Sequence, residues 1–192
     1  MMPQTTATPP RVIYNSQQIH RGIDRMAAGI LERNGHDLGR LGLIGIHGGG
    51  GILAQRFMAS LARQAGQPQF NLDIGMVDIG LYRDDYSRLS QMPQVRATII
   101  DFDVDQRELV LLDDVIFTGR TTRAAMESLF SLGRPARVYL AVLVDRGHRE
   151  FPIQPHAVGY QLATDRHQSV NVYLSSDPNE DYATLEDYKY DL

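Results

Sequence analysis

The pattern of apolar and polar positions predicts helices and strands that alternate along the chain. Apolar residues recur at helical spacing in three segments, at residues 16–34, 52–65 and 121–132. Ser16 is the predicted N-cap of the first helix, and Asn34-Gly35 is its predicted end. Shorter apolar runs predict strands at residues 41–46, 71–79, 109–112, 136–144, 158–162 and 170–174.

This order of elements predicts an α/β fold, in which helices flank a doubly wound, mostly parallel sheet. Ligands of such a sheet bind at the carboxyl ends of its strands. One antiparallel feature is also expected, because residues 97–102 and 108–112 look like the two arms of a hairpin.

Composition divides the chain into three parts. Residues 1–10 are predicted to be a flexible N-terminal arm, residues 11–176 a single domain and residues 177–192 an acidic C-terminal tail. The tail holds six acidic residues and one lysine, and it accounts for the net charge of −4. Two alternatives remain for the tail, which is either solvated or packed through Tyr182, Leu185 and Tyr188.

Composition also excludes several classes of protein. Hydrophobic residues make up 43% of the 192 residues and charged residues 22%, as in an ordinary globular domain. No apolar run approaches the ~20 residues of a membrane span. The chain has no cysteine, which excludes thiol catalysis and cysteine-ligated metals and favours a cytoplasmic location. Outside the tail the charges nearly balance, so no broad basic surface for nucleic acid is expected.

The strongest chemical signal lies between Val110 and Thr122. A buried strand ends in two carboxylates, Asp113 and Asp114, and a loop rich in Thr and Gly then leads directly into a helix. The amides of a helix N-terminus favour phosphate, whereas carboxylates accept hydrogen bonds from sugar hydroxyls. The segment therefore predicts a site for a ribose 5-phosphate group. The alternative is that the aspartates only solubilise a strand end and the loop only caps a helix.

The same segment resembles the phosphoribosyl-pyrophosphate signature of the type I phosphoribosyltransferases. Together with residues 81–85 and 141–150, residues 113–126 resemble the PyrR family of pyrimidine-operon regulators, some of which are also uracil phosphoribosyltransferases. The resemblance covers residues 12–175 and implies the fold of that family, with a small hood region beside the main sheet.

The resemblance implies transfer of a ribose 5-phosphate group from phosphoribosyl pyrophosphate to uracil, which gives UMP and pyrophosphate. Asp113 and Asp114 would hold the ribose hydroxyls. The 5-phosphate would be held by the loop and the first helical turn, at Thr118, Gly119, Arg120, Thr121 and Thr122. Mg²⁺ would arrive with the pyrophosphate rather than in a site made by the protein alone. Purine-type relatives have an acidic residue where this chain has Phe117, which favours a pyrimidine as the base.

Three further segments would complete a transferase site. His47, Gly48 and Gly49 correspond to the pyrophosphate loop of the family, and the alternative is a flexible glycine linker. Many relatives have an arginine in that loop, and its absence here predicts weaker pyrophosphate binding and weaker catalysis. Arg83 is the candidate for stabilising charge on the leaving pyrophosphate. Backbone groups at Val144, Asp145 and Arg146 are the candidates for reading the base.

Regulatory members of the family bind leader RNA of pyrimidine operons. The candidate RNA contacts here are Arg21, Arg25, Arg146 and Arg149. Asp24 and Ala28 replace a threonine and a histidine of the family pattern, and these changes and the acidic tail weaken the RNA prediction. The alternative function is a catalytically weak nucleotide sensor that acts through RNA or a protein partner. The resemblance also implies a homodimer or a higher homo-oligomer.

Overall fold

The computed structural model describes residues 9–35, 37–46, 50–79 and 98–187. Three α-helices are present in these ranges: α1 (Ser16–Asn34), α2 (Gly50–Gln64) and α3 (Arg120–Phe130). The strands are β1 (Arg11–Tyr14), β2 (Leu41–Ile46), β3 (Asp73–Val77), β4 (Glu108–Ile116), β5 (Arg137–Asp145), β6 (Ala157–Gln161), β7 (Gln168–Tyr173) and β8 (Tyr182–Asp187).

The main sheet has five parallel strands in the order β3-β2-β4-β5-β6. Because all five run in the same direction, their carboxyl ends meet at one edge. The pairs Ile46 with Val77 and Ile116 with Asp145 mark that edge. The α/β fold class predicted from the sequence is confirmed.

Neighbouring residues of the central strand β4 contribute to two separate apolar layers. Val110 and Leu112 pack with α1 and α2 on one side of the sheet. Leu109 and Leu111 pack with residues of α3 on the other side. This alternation follows from the two-residue period of a strand. Burial on both faces also explains why residues 109–112 of β4 form a continuous apolar run in the sequence.

The N-cap of α1 is Asn15, and the prediction of Ser16 is wrong by one residue. The Asn15 side chain accepts a hydrogen bond from the Gln18 amide at 3.0 Å, and the Gln18 side chain accepts one from the Asn15 amide at 2.9 Å. This reciprocal capping box satisfies two amides at the start of the helix. Gly35 ends the helix with a φ of +67°, as the Asn34-Gly35 signal predicts.

The predicted hairpin between residues 97–102 and 108–112 is wrong. β4 pairs in parallel with β2 on one edge and with β5 on the other, so neither edge can accept an antiparallel arm. The preceding segment instead contacts β3, through an isolated antiparallel bridge between Ile99 and Met76.

Part of the acidic tail is packed. β8 is the middle strand of a small antiparallel sheet, between β1 and β7. Just before β8, the buried Asp181 carboxylate forms an ion pair with Arg56 of α2 and accepts a hydrogen bond from the Ser175 amide at 2.9 Å. Of the two alternatives for the tail, packing is therefore observed for residues 182–187, while Tyr188 lies outside the described residues. The division of the chain at residue 177 stays a prediction.

No helix in the described part of the chain is long and apolar enough to span a membrane.

His156 gives the fold a testable dependence on pH. Its Nδ1 accepts a hydrogen bond from the Leu140 amide at 3.1 Å, which requires an unprotonated nitrogen. Burial lowers the pKa of His156 below its usual 6.5, and the nearby Arg33 and Arg137 lower the pKa further. The resulting stabilisation is complete above pH 6.5 and is lost as the pH falls through the folded-state pKa.

We therefore expect thermal stability to fall between pH 7 and pH 5 more steeply in the wild type than in His156→Asn. The asparagine oxygen can accept the same hydrogen bond but does not titrate. Differential scanning calorimetry across this range measures both slopes. Equal slopes would show that His156 does not contribute.

Candidate functional site

Two aspartates occupy the carboxyl end of the central strand. Asp113 is only 6% exposed, and its Oδ1 accepts a hydrogen bond from the Asp114 amide at 3.0 Å. Asp114 is partly exposed, and its Oδ1 accepts from the Val115 amide at 2.8 Å. Each carboxylate is thus held by the backbone of the next residue. The aspartates lie near the end of β4, as the sequence predicts, although the strand continues for two more residues to Ile116.

The loop after β4 makes a sharp turn into α3 at Gly119. Gly119 has a φ of +91° and is the N-cap of α3, with no side chain to cover the first helical turn. At the turn, the Thr118 hydroxyl accepts a hydrogen bond from the Arg120 amide at 3.3 Å. The amides of such a turn and the positive end of the helix dipole together favour an anion.

Thr122 adds a hydroxyl to the same turn. The residue is 1% exposed, and its Oγ1 has no hydrogen-bond partner among the described residues. An unsatisfied buried hydroxyl costs free energy, on the order of 1–3 kcal/mol, unless something else bonds to it. A phosphate at the start of α3 is a group that could accept this hydrogen bond.

Arg120, a predicted phosphate ligand, forms an ion pair across the turn. Its Nη2 donates to Glu150 Oε2 at 2.7 Å, and its Nε donates to the same oxygen at 3.0 Å. These hydrogen bonds lower the pKa of Glu150, with a smaller contribution from Arg166. The sequence did not indicate this pair, because 30 residues separate its members.

The residues predicted to read the base are engaged inside the fold. The Asp145 carboxylate accepts from the Gly147 amide at 2.9 Å and pairs with Arg149 at 2.7 Å. The Asp145 carbonyl accepts from the Leu162 amide at 2.9 Å. Val144 is buried within β5. The assignment of base recognition to these groups stays a prediction, and these contacts show that they also hold the loop after β5.

Arg146 is a buried support for the turn rather than a surface cation. It is 5% exposed, and its guanidinium donates to the Thr164 hydroxyl at 3.1 Å and to the Asp165 carbonyl at 3.0 Å. The guanidinium also lies 4.0 Å from the centre of the Phe117 ring, while the ring of His148 meets Phe117 edge-on at 5.6 Å. Phe117 is therefore held by a cation–π contact and an aromatic contact, and neither could be inferred from its sequence position.

The other candidate RNA contacts are mostly engaged as well. Arg25 donates to the Gly159 carbonyl and lies 4.2 Å from the Tyr160 ring centre. Arg149 pairs with Asp145, whereas Arg21 is exposed on α1. Asp24 accepts hydrogen bonds from Ser60 at 2.5 Å and from Arg63 at 2.6 Å. Because Arg63 balances the negative charge of Asp24, this carboxylate repels RNA phosphates less than the sequence alone implies.

His47, Gly48, Gly49 and Arg83 lie outside the described residues, so their roles stay predictions. The structure does describe the backbone on either side of residues 47–49, at the end of β2 and the start of α2. A Cβ on Gly45 would come within 2.6 Å of the Gly50 carbonyl oxygen. The end of β2 and the start of α2 thus approach each other so closely that glycine is required at this crossing.

The comparisons with known proteins agree with this geometry. The profile of the phosphoribosyl transferase domain matches residues 12–177. The chain is 42% identical to the "Bifunctional protein PyrR" of Syntrophobacter fumaroxidans, over 92% of each chain. It is 43% identical to the protein of that name from Deinococcus radiodurans, over 93% of this chain and 96% of that one. The chain belongs to the phosphoribosyltransferase family, within its PyrR group.

Solved structures support the fold of this family. A hypoxanthine-guanine-xanthine phosphoribosyltransferase superposes with a TM-score of 0.60 at 16% identity, over 93% of this chain and 94% of that one. A hypoxanthine phosphoribosyltransferase from Staphylococcus aureus also gives a TM-score of 0.60, at 18% identity, over 82% of this chain and 79% of that one. At such identities the similarity concerns the fold alone.

Gly119→Ala tests whether the turn itself makes the anion site. Alanine at a φ of +91° is strained by about 1–2 kcal/mol, and relief of that strain would displace the amides before α3. We expect lower stability and weaker binding of ribose 5-phosphate by isothermal titration calorimetry. Gly66→Ala is the matched control, because Gly66 has a φ of +71° but lies after α2, away from the turn. Equal loss of ribose 5-phosphate binding in both variants would contradict this assignment.

Proposed function

We propose that the chain is a uracil phosphoribosyltransferase that also regulates expression of pyrimidine biosynthesis genes. The observation that carries the enzymatic half is the β4–α3 turn. There, two carboxylates precede a helix N-terminus whose buried Thr122 hydroxyl has no hydrogen-bond partner in the part of the chain that the structure describes. The carboxylates suit the hydroxyls of a ribose 5-phosphate group, and the helix N-terminus suits its phosphate. The name shared by the PyrR relatives supports the bifunctional assignment.

In this proposal Asp113 and Asp114 accept hydrogen bonds from the ribose hydroxyls and stabilise positive charge that develops on the sugar. Thr118, Gly119, Thr121 and Thr122 surround the 5-phosphate. Arg120 contributes positive charge while it stays paired with Glu150. These groups work by orienting the ribose and by opposing charge that develops during transfer, so no side chain has to form a covalent intermediate.

Magnesium fits the chemistry of this donor set, because carboxylate and phosphate oxygens are its preferred ligands. Bound with phosphoribosyl pyrophosphate, the ion would neutralise the pyrophosphate and make it a better leaving group. Asp113 and Asp114 are the described residues that could contact such an ion. The backbone of residues 47–49 and Arg83 would hold the pyrophosphate.

Phe117 supports a pyrimidine as the acceptor base. A hydrocarbon ring cannot exchange a proton with a base, and this ring is already packed against Arg146 and His148. The turn therefore has no acidic group at the position where purine-type relatives have one.

The regulatory half of the proposal rests on the PyrR relatives and on the surface of α1. Arg21 is exposed, and the ion pair between Asp24 and Arg63 removes an unpaired negative charge from this helix. Both features make α1 more compatible with RNA phosphates than the sequence alone suggests. Pyrimidine leader RNA is the proposed partner, and the proposed assembly is a homodimer or a higher oligomer in the cytoplasm.

A radiolabelled-uracil assay with phosphoribosyl pyrophosphate and Mg²⁺ tests the enzymatic half. We expect the wild type to form UMP and the double variant Asp113→Asn with Asp114→Asn to lose about a hundredfold or more in turnover, because both charges that face the sugar are removed. Asp101→Asn is the matched control, since Asp101 is exposed and precedes β4.

Absence of UMP formation by the wild type, in an assay where a known uracil phosphoribosyltransferase is active, would reject the enzymatic half. If such a protein still bound UMP, the alternative of a nucleotide sensor with little or no catalysis would replace it. The glycine-rich sequence at residues 47–51, which has no arginine, is the feature that favours this alternative.

A further inference from the structure

The turn between β4 and α3 is supported from one side by residues 146–150, which follow β5. Three successive carbonyls, from the last residue of β4 into the turn, accept hydrogen bonds from this supporting segment. The Ile116 carbonyl accepts from the Arg146 amide at 3.2 Å, and the Thr118 carbonyl accepts from the Glu150 amide at 2.9 Å. Between them, the Phe117 carbonyl accepts from Nη1 of Arg149 at 2.8 Å.

These hydrogen bonds also set the direction of the amides in the turn. In a trans peptide group the N–H points opposite to the C=O. Fixing the carbonyls of residues 116–118 toward the supporting segment therefore turns the N–H groups of Phe117, Thr118 and Gly119 away from it. An anion site at a helix N-terminus depends on such aligned amides.

Arg149 is the one of these three donors that is a side chain, and its position is fixed by several contacts. Its Nη2 pairs with Asp145 at 2.7 Å, and its Nε donates to the Ile153 carbonyl at 3.1 Å. Nη1 also donates to the Gly147 carbonyl at 3.1 Å. The planar guanidinium thus links the end of β5, the supporting segment and the turn, which an ammonium group could not do with the same geometry.

We propose that Arg149 is a positioning residue for the phosphate-binding turn, which orients the Thr118 amide through the Phe117 carbonyl and so raises the affinity for a 5-phosphoribosyl ligand. This inference deepens the proposed function and rests on its assignment of the 5-phosphate to the turn. Arg149 acts from behind the turn and does not itself contact the ligand. Arg120, by contrast, is the first residue of α3 and is proposed to lie beside the phosphate.

The direct test is the affinity for ribose 5-phosphate, measured by isothermal titration calorimetry. We expect Arg149→Gln to bind about tenfold more weakly than the wild type, because the charged donor to Phe117 is lost. Arg149→Lys keeps the charge near Asp145 but not the fork, so an intermediate affinity is expected. Arg134→Gln, an exposed arginine in the loop after α3, is the matched control and should bind as the wild type does.

Arg149→Gln leaves the Asp145 carboxylate without its cation, so the variant could fail to fold. The double variant Asp145→Asn with Arg149→Gln removes both charges, and the asparagine oxygen can still accept from the Gly147 amide. This folded variant should show the same tenfold loss. The Thr118 amide signal in ¹⁵N–¹H NMR should shift in both Arg149→Gln variants and not in Arg134→Gln.

Steady-state kinetics separate positioning from a general structural defect. In Arg149→Gln the KM for phosphoribosyl pyrophosphate should rise about tenfold, and the KM for uracil should rise less, because the Asp145 carbonyl stays held by the Leu162 amide. Unchanged ribose 5-phosphate affinity in folded Arg149 variants would overturn the inference, and so would failure of the wild type to bind ribose 5-phosphate. If the wild type forms no UMP but the variants still lose ribose 5-phosphate affinity, the inference stands and the enzymatic proposal fails.

Discussion

Parallel pairing of the strands is the constraint on which the site depends. Because β2, β3, β4, β5 and β6 run in one direction, each strand delivers the residues that follow it to the same edge of the sheet. The register between β4 and β5 places Ile116 opposite Asp145. The turn into α3 and the segment after β5 are therefore neighbours, although about thirty residues separate them in the chain.

Much of this arrangement follows from local sequence, and the rest follows from tertiary contacts. The apolar runs predict the strands of the main sheet, and the order of carboxylates, threonines and glycine predicts the anion site before α3. The hairpin prediction failed because local alternation cannot show that both edges of β4 are occupied by β2 and β5. The predicted N-cap of α1 was wrong by one residue, because Asn15 and Ser16 are both favourable capping residues. Only the reciprocal hydrogen bonds between Asn15 and Gln18 distinguish them.

The contacts of the arginines near the site also could not be predicted from local sequence. Sequence position suggests that Arg25, Arg146 and Arg149 are cations available to RNA, whereas the structure uses all three to satisfy backbone carbonyls. A guanidinium has several donors, and carbonyls without strand partners occur both in loops that follow strands and along the edge strand β6, so such pairings are physically favourable. These pairings join residues that are close in the folded structure but far apart in the sequence. The same is true of the ion pair between Arg56 and Asp181, which fixes the start of β8.

A crystal structure of the protein with UMP would test the central claim most directly, since that claim concerns where the two ends of the nucleotide lie. The account predicts a phosphate within about 3 Å of amides and hydroxyls between Thr118 and Thr122, and ribose hydroxyls within the same distance of Asp113 and Asp114. A phosphate bound away from the N-terminus of α3, or a ribose that contacts neither aspartate, would contradict it.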